Sequence, residues 1–142
     1  MKVHREKDGT FVVSLMRGET IRASIETLAV KEGIVGAQVS GIGAVEDPEL
    51  GYYMLDKKEY AHHIFPGIFE LLSFDGNVTL RDDRPFLHTH PIISGPDLKA
   101  FGGHFFDARV GVVVELFLTP LATPLRRIMC DEIGLARWEP GE

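Results

Sequence analysis

The sequence predicts an α+β domain, a mostly antiparallel β-sheet with one main helix packed on it. Three observations carry that reading. Only one stretch, from Ile21 to Ala29, repeats its apolar residues at helical spacing. Apolar runs of strand length fill most of the remainder. The breaks between them carry turn chemistry, in keeping with 15 glycines and 8 prolines. The 142 residues suit a single domain, 1–142, with no repeat or linker. A chain of that size buries roughly two-thirds of its unfolded surface, enough for its own core.

The elements follow in order. Lys2 to Glu6 and Phe11 to Met16 flank Asp8-Gly9, a hairpin signal. Ile21, Ile25, Leu28 and Ala29 then form one helical stripe, with Arg22, Glu26 and Lys31 off it. Gly33 stands where a helix ends on a left-handed residue. Ile34 to Val39 reads as a strand entering a glycine-rich bend, Ser40-Gly41-Ile42-Gly43-Ala44-Val45, before Asp47-Pro48. Strands are expected at Leu50–Leu55, Glu59–Phe65, Gly67–Phe74, Asn77–Arg81, Pro85–Ile93, His104–Phe106, Val110–Leu118 and Leu125–Cys130. Turns at Pro66-Gly67, Asp75-Gly76, Asp82-Asp83, Gly95-Pro96-Asp97 and Thr119-Pro120 separate them. Trp138 to Glu142 is expected to be a loosely held tail.

Several function classes lose ground at once. Fifteen basic against 21 acidic residues give a net charge of −6, and no basic run exceeds the pairs Lys57-Lys58 and Arg126-Arg127. Nucleic-acid affinity comes largely from Lys and Arg neutralising phosphates, so this balance argues against it for the isolated subunit. Ser40-Gly41-Ile42-Gly43 lacks the third glycine of a dinucleotide fingerprint and the Gly-Lys-Ser/Thr of a P-loop. A sharp bend, or a close backbone approach at a subunit contact, is expected there. The single cysteine, Cys130, excludes an intrachain disulfide and an all-cysteine metal site. No apolar run approaches the roughly 20 residues of a membrane span, and Met1 to Lys7 lacks the apolar stretch of a signal peptide. A soluble, cytoplasmic protein is expected.

Three of the six histidines are informative. On a strand, His88 and His90 project from one face together with Phe86 and Ile92, so both imidazoles can reach one metal ion. His104 follows Gly102-Gly103, and a hairpin-like return would bring it against the His88/His90 strand. Three neutral imidazoles with an open fourth position describe a catalytic-type zinc site. The competing reading is that they are hydrogen-bonded core or interface residues. His62 and His63 are adjacent and face opposite sides, and His4 lies on an edge; all three read as surface residues.

Gly18-Glu19, the helix, Ser40 to Val45 and Gly67-Ile68-Phe69-Glu70-Leu71-Leu72-Ser73-Phe74-Asp75-Gly76 occur in an order that resembles the plants-and-prokaryotes conserved (PPC) domain. Pro85 to His90, Gly102-Gly103-His104 and Val113-Val114-Glu115-Leu116 continue it, from about Val13 to Cys130. The resemblance implies a strongly bent sheet and assembly as a homotrimer. It also implies a metal, zinc or another divalent transition ion, at His88, His90 and His104. The chain differs from the family at Gly95 to Lys99, where Asp-Gly is usual, and at Phe105, where Leu is typical. It has no Arg-Gly-Arg hook, so the family's DNA-binding label transfers poorly.

A zinc held by three imidazoles lowers the pKa of bound water to about 7 and polarises carbonyl or phosphoryl oxygens. Glu70, in an apolar run, is the candidate catalytic residue, and Glu115 is second. Glu70 has three readings: general base, orienting partner of a ligand imidazole, or outward-facing surface residue. The expectation is a trimeric metal-binding domain with water or a small ligand at the open position and no named reaction. If it is an enzyme, it is a metal-dependent hydrolase or lyase. The alternative is a DNA-binding or regulatory interaction module.

Overall fold

The computed structural model describes residues 1–139. It contains a twelve-stranded sheet and one helix. β1 (Lys2–Arg5) and β2 (Phe11–Met16) form the expected antiparallel hairpin. Helix α1 (Ile21–Glu32) buries Ile21, Ile25, Leu28 and Ala29, the stripe read from the sequence. Gly33 ends it in the left-handed region at φ 65°, and the Ile34 N–H closes back on the Ala29 carbonyl at 2.9 Å.

Two long strands organise everything else. β3 (Ala37–Met54) runs 18 residues and pairs antiparallel along its length with β10 (His104–Pro120), which runs 17. Ser40 to Val45 is thus an irregular part of one strand where a bend was expected. The close approach is real, but it is made within the chain: a Cβ on Gly41 would lie 2.3 Å from the Glu115 carbonyl oxygen. Backbone meets backbone there, so no side chain fits. The register also slips between Val110 and Val114, a bulge that bends the pair.

On its other edge β3 accepts three partners in succession. Ala37–Val39 pairs with β6 (Gly76–Arg81), Gly43–Glu46 with β5 (Ile68–Ser73), and Glu49–Met54 with β4 (Glu59–Ile64). β6 continues to β7 (Arg84–Thr89), and β5 continues through β8 (Ile92–Ser94) to β9 (Ala100–Gly102). The single strand expected over Pro85–Ile93 therefore divides at His90-Pro91, because proline has no N–H for the ladder. β11 (Arg126–Cys130) and β12 (Leu135–Glu139) close the described chain as a hairpin in which Arg127 faces Trp138. Trp138 and Glu139 of the expected tail thus belong to a strand; residues 140–142 lie outside the described residues. The core lies between α1 and the sheet, with Leu15, Val39, Phe74, Phe105, Val114 and Leu116 at most 1% exposed.

Candidate metal centre

β7 delivers His88 from a ladder position opposite Asn77. His90 follows two residues later, its N–H bonded to the Asp75 carbonyl. The β8–β9 hairpin then brings the chain back, and His104 opens β10 opposite Gly51. The two glycines before it make this return possible. A Cβ on Gly102 would lie 2.3 Å from the Pro91 oxygen, and one on Gly103 2.8 Å from the Gly51 oxygen. Side chains at either position would push β9 and β10 away from their neighbours.

The three rings converge. His88 Nε2 and His90 Nε2 are 3.2 Å apart, and His90 Nε2 and His104 Nδ1 are 3.3 Å apart. One nitrogen from each ring lies within 4.8 Å of the other two. Ligand nitrogens about 2.0–2.1 Å from a tetrahedral zinc stand about 3.3 Å from one another, so the donor type and the two short spacings are those of a group that could hold a divalent transition metal. Among the described residues, no Asp, Glu or Cys joins the group.

The surroundings keep the rings neutral, as ligation requires. His88 is pushed down to about 3, first by burial and then by the Arg127 charge and its neighbouring histidines. His104 is pushed down to about 4 by burial, His90, Arg22 and Arg127. Burial lowers His90 as well. Aromatic packing fixes His104, with Tyr60 of β4 stacked on it at 4.6 Å and Phe106 edge-on at 5.1 Å.

Two arginines build the frame. Arg22, on the polar side of α1, donates to the carbonyls of Leu87, Phe105 and Phe106. It thereby ties the residue before His88 to the two residues after His104. Arg127 donates to Thr79 Oγ1, Asn77 Oδ1, the Ala136 carbonyl and, at 2.7 Å, His88 Nδ1. A guanidinium only donates, so Nδ1 accepts and the neutral ring carries its proton on Nε2, the atom facing His90. Ligation through that nitrogen by a neutral ring and the Arg127 contact therefore exclude each other.

Neither arginine was singled out for the site from the sequence. Arg22 showed only as a residue off the apolar stripe, and Arg127 only as half of a basic pair. Glu70 is placed elsewhere: it is exposed on β5, opposite Ala44 and Ser94. Strand alternation buries Leu71 and turns Glu70 outward, where it and Glu115 line a surface groove with Ile42, Leu72 and Val112. None of the three histidines lines that groove, so the chain does not bring Glu70 to them. His62 is exposed, stacked on Phe106 and bonded to Glu49, while His63 and His4 are also exposed.

Solved structures share this fold. A plant- and prokaryote-conserved protein from Pyrococcus horikoshii is similar at 32% identity and TM-score 0.86, over 99% of this chain and 95% of that one. A metal-containing protein from Archaeoglobus fulgidus is similar at 34% identity and TM-score 0.87, over 98% and 97%. A Bacteroides thetaiotaomicron protein named a "putative DNA binding protein" aligns at TM-score 0.92, over 97% and 96%, with 20% identity, which shows the fold alone. Among curated proteins, no significant match was found. The sequence matches the Plants and Prokaryotes Conserved (PCC) domain over residues 4–122, most of its length, and the chain belongs to that family.

Proposed function

We propose that the chain is a metal-binding domain in which His88, His90 and His104 hold one divalent transition ion, zinc fitting best, with a position left open for water or a small ligand. The observation that carries this is the convergence of three imidazoles, one nitrogen of each within 4.8 Å of the other two, with ligation by His88 Nε2 requiring Arg127 to release Nδ1. The relative from Archaeoglobus described as metal-containing supports it. Such an ion supplies Lewis acidity to whatever occupies the open position. The protein's part is to hold the rings neutral and oriented through Arg22, Tyr60 and Phe106.

Metal content by mass spectrometry on untagged protein tests the reading. About one ion per chain is expected, lost in His88→Ala and in His104→Ala. No ion in the parent after incubation with zinc and desalting would leave the histidines as structural residues.

The domain further acts as a homotrimer, the assembly the family resemblance implies. Supporting this, the outer face of the sheet exposes Val12, Ile42, Leu72, Val112 and Phe117, more apolar surface than a solvated sheet face needs. Light scattering should give three times the chain mass, and Phe117→Glu should lower it. A monomeric parent at micromolar concentration would end that reading. Two relatives at 20% and 22% identity are named for DNA binding. The net charge of −6 weighs against that role here. A salt-dependent gel shift would restore it. No helix among the described residues is long and apolar enough to cross a membrane.

A further inference from the structure

A chamber of about 770 Å³ opens beside the histidines, within the size range of small-molecule sites. His104 forms part of its wall, with Tyr60, Phe86, Phe106 and Arg81. A recess of about 110 Å³ adjoins it, where Tyr60, Arg81, Phe86 and His104 recur and His88 and Arg127 join. Both spaces share the His104 wall, so a molecule in the chamber lies against His104.

The charged groups here differ in what already occupies them. Arg22 is committed to three carbonyls and Glu26, and Arg127 to four acceptors. Glu26 in turn is held by Arg22 and the Leu87 N–H. Arg81 is different. Its guanidinium carbon lies 3.9 Å from the centroid of the Phe86 ring. No side-chain hydrogen bond or ion pair engages it among the described residues, and the same is true of Arg84 at the rim.

A guanidinium seated on an aromatic face is held in one plane with its N–H edge free, the arrangement that grips a carboxylate or phosphate through two parallel bonds. The Tyr60 hydroxyl has no protein partner either among the described residues, and the ring supplies a second aromatic wall. Asp82 is the one acidic wall residue not already in an ion pair. With Arg22 and Glu26 paired to each other, the unpaired charges of the wall are Arg81 and Arg84 against Asp82, a small positive excess in a chain of net charge −6.

We propose that the chamber binds a small organic anion, a carboxylate or phosphate with a planar or apolar body. Arg81, seated on Phe86, grips the anionic group, and the body lies against the Tyr60 and Phe106 side of the wall beside His104. A concave, aromatic-walled space on an acidic chain suits a small molecule better than a duplex, which needs an extended basic surface. The inference deepens the metal reading by naming what approaches the open position, but the anion grip itself stands on Arg81, Phe86 and Tyr60.

Titration calorimetry with phenylphosphonate and with benzoate tests it, on zinc-treated and on metal-free protein. Wild type should bind at least one probe, more weakly as salt rises. Arg81→Ala should weaken that binding at least about tenfold, as expected when a charge-assisted pair is lost, with zinc content unchanged. Arg81→Lys should recover only part, because lysine offers no fork. Protein that takes up no zinc yet binds a probe through Arg81 would end the metal reading and keep this one. Wild type that binds zinc but neither probe would do the reverse, as would an Arg81→Ala variant that binds as well as wild type. Arg81-dependent uptake of a DNA duplex with neither probe bound would also overturn it.

Discussion

Around α1 and the paired stretches of β2, β10 and β3, the protein is held by burial without direction. Ile25, Leu15, Leu116 and Leu118 are at most 1% exposed and need only be apolar and of the right volume. At the histidine end the opposite holds. His90 is exposed and His88 and His104 are only partly covered, and their places are set by planar guanidinium forks and ring stacking. The first region tolerates apolar exchanges that conserve volume, and neither polar nor cavity-forming ones; the second depends on the geometry of single donors. Stability and site geometry are therefore carried largely by different residues, with Arg22 as the link between them.

Substitutions can break or sharpen that contrast. Ile25→Ala empties a fully buried position on α1 and should cost about 2–5 kcal/mol in urea denaturation, while the folded fraction keeps its metal stoichiometry. Arg22→Met touches both regions. It leaves the Leu87, Phe105 and Phe106 carbonyls without their partner, at about 1–3 kcal/mol, and zinc affinity should fall with it in chelator competition. Arg22→Lys should not restore that affinity, because one ammonium cannot reach three carbonyls in a fork. If Arg22→Met lowered stability and left zinc affinity intact, the link would be refuted.

Arg127→Gln sharpens the contrast further. It replaces an obligate donor with a side chain whose amide oxygen accepts from His88 Nδ1–H, the tautomer that leaves Nε2 free for a metal. Zinc should bind about tenfold tighter, the scale on which outer partners tune ligand histidines. An unchanged or weaker affinity would show that Arg127 supports the loaded site. The smallest effect belongs to His62→Gln, on the exposed side of β4. It should shift stability by no more than about 0.5 kcal/mol and leave metal content alone.

What the sequence revealed follows the same division. The helix stripe and the first hairpin were legible because periodicity and Asp8-Gly9 are local signals. So was the meeting of the three histidines, since one strand and one glycine-permitted return produce it. The unity of β3 was not legible. Its glycines look like a break, and the reason for them, the β10 backbone at Glu115, lies 74 residues away. β9 and β12 were missed because both are short and largely exposed, with little apolar alternation to read. Arg127 reaches His88 across 39 positions, and Arg22 reaches Leu87 across 65. No spacing rule reports such contacts.

The β11–β12 hairpin has an optical consequence. Trp138, the chain's one tryptophan, faces Arg127 across the ladder and is 43% exposed, so its emission is sensitive to how that hairpin meets solvent. The residue that must let go of His88 before a neutral ring can ligate thus sits opposite the molecule's sole indole. Fluorescence followed during a zinc titration, without any attached dye, would watch Arg127 change its allegiance from imidazole to whatever it grips next.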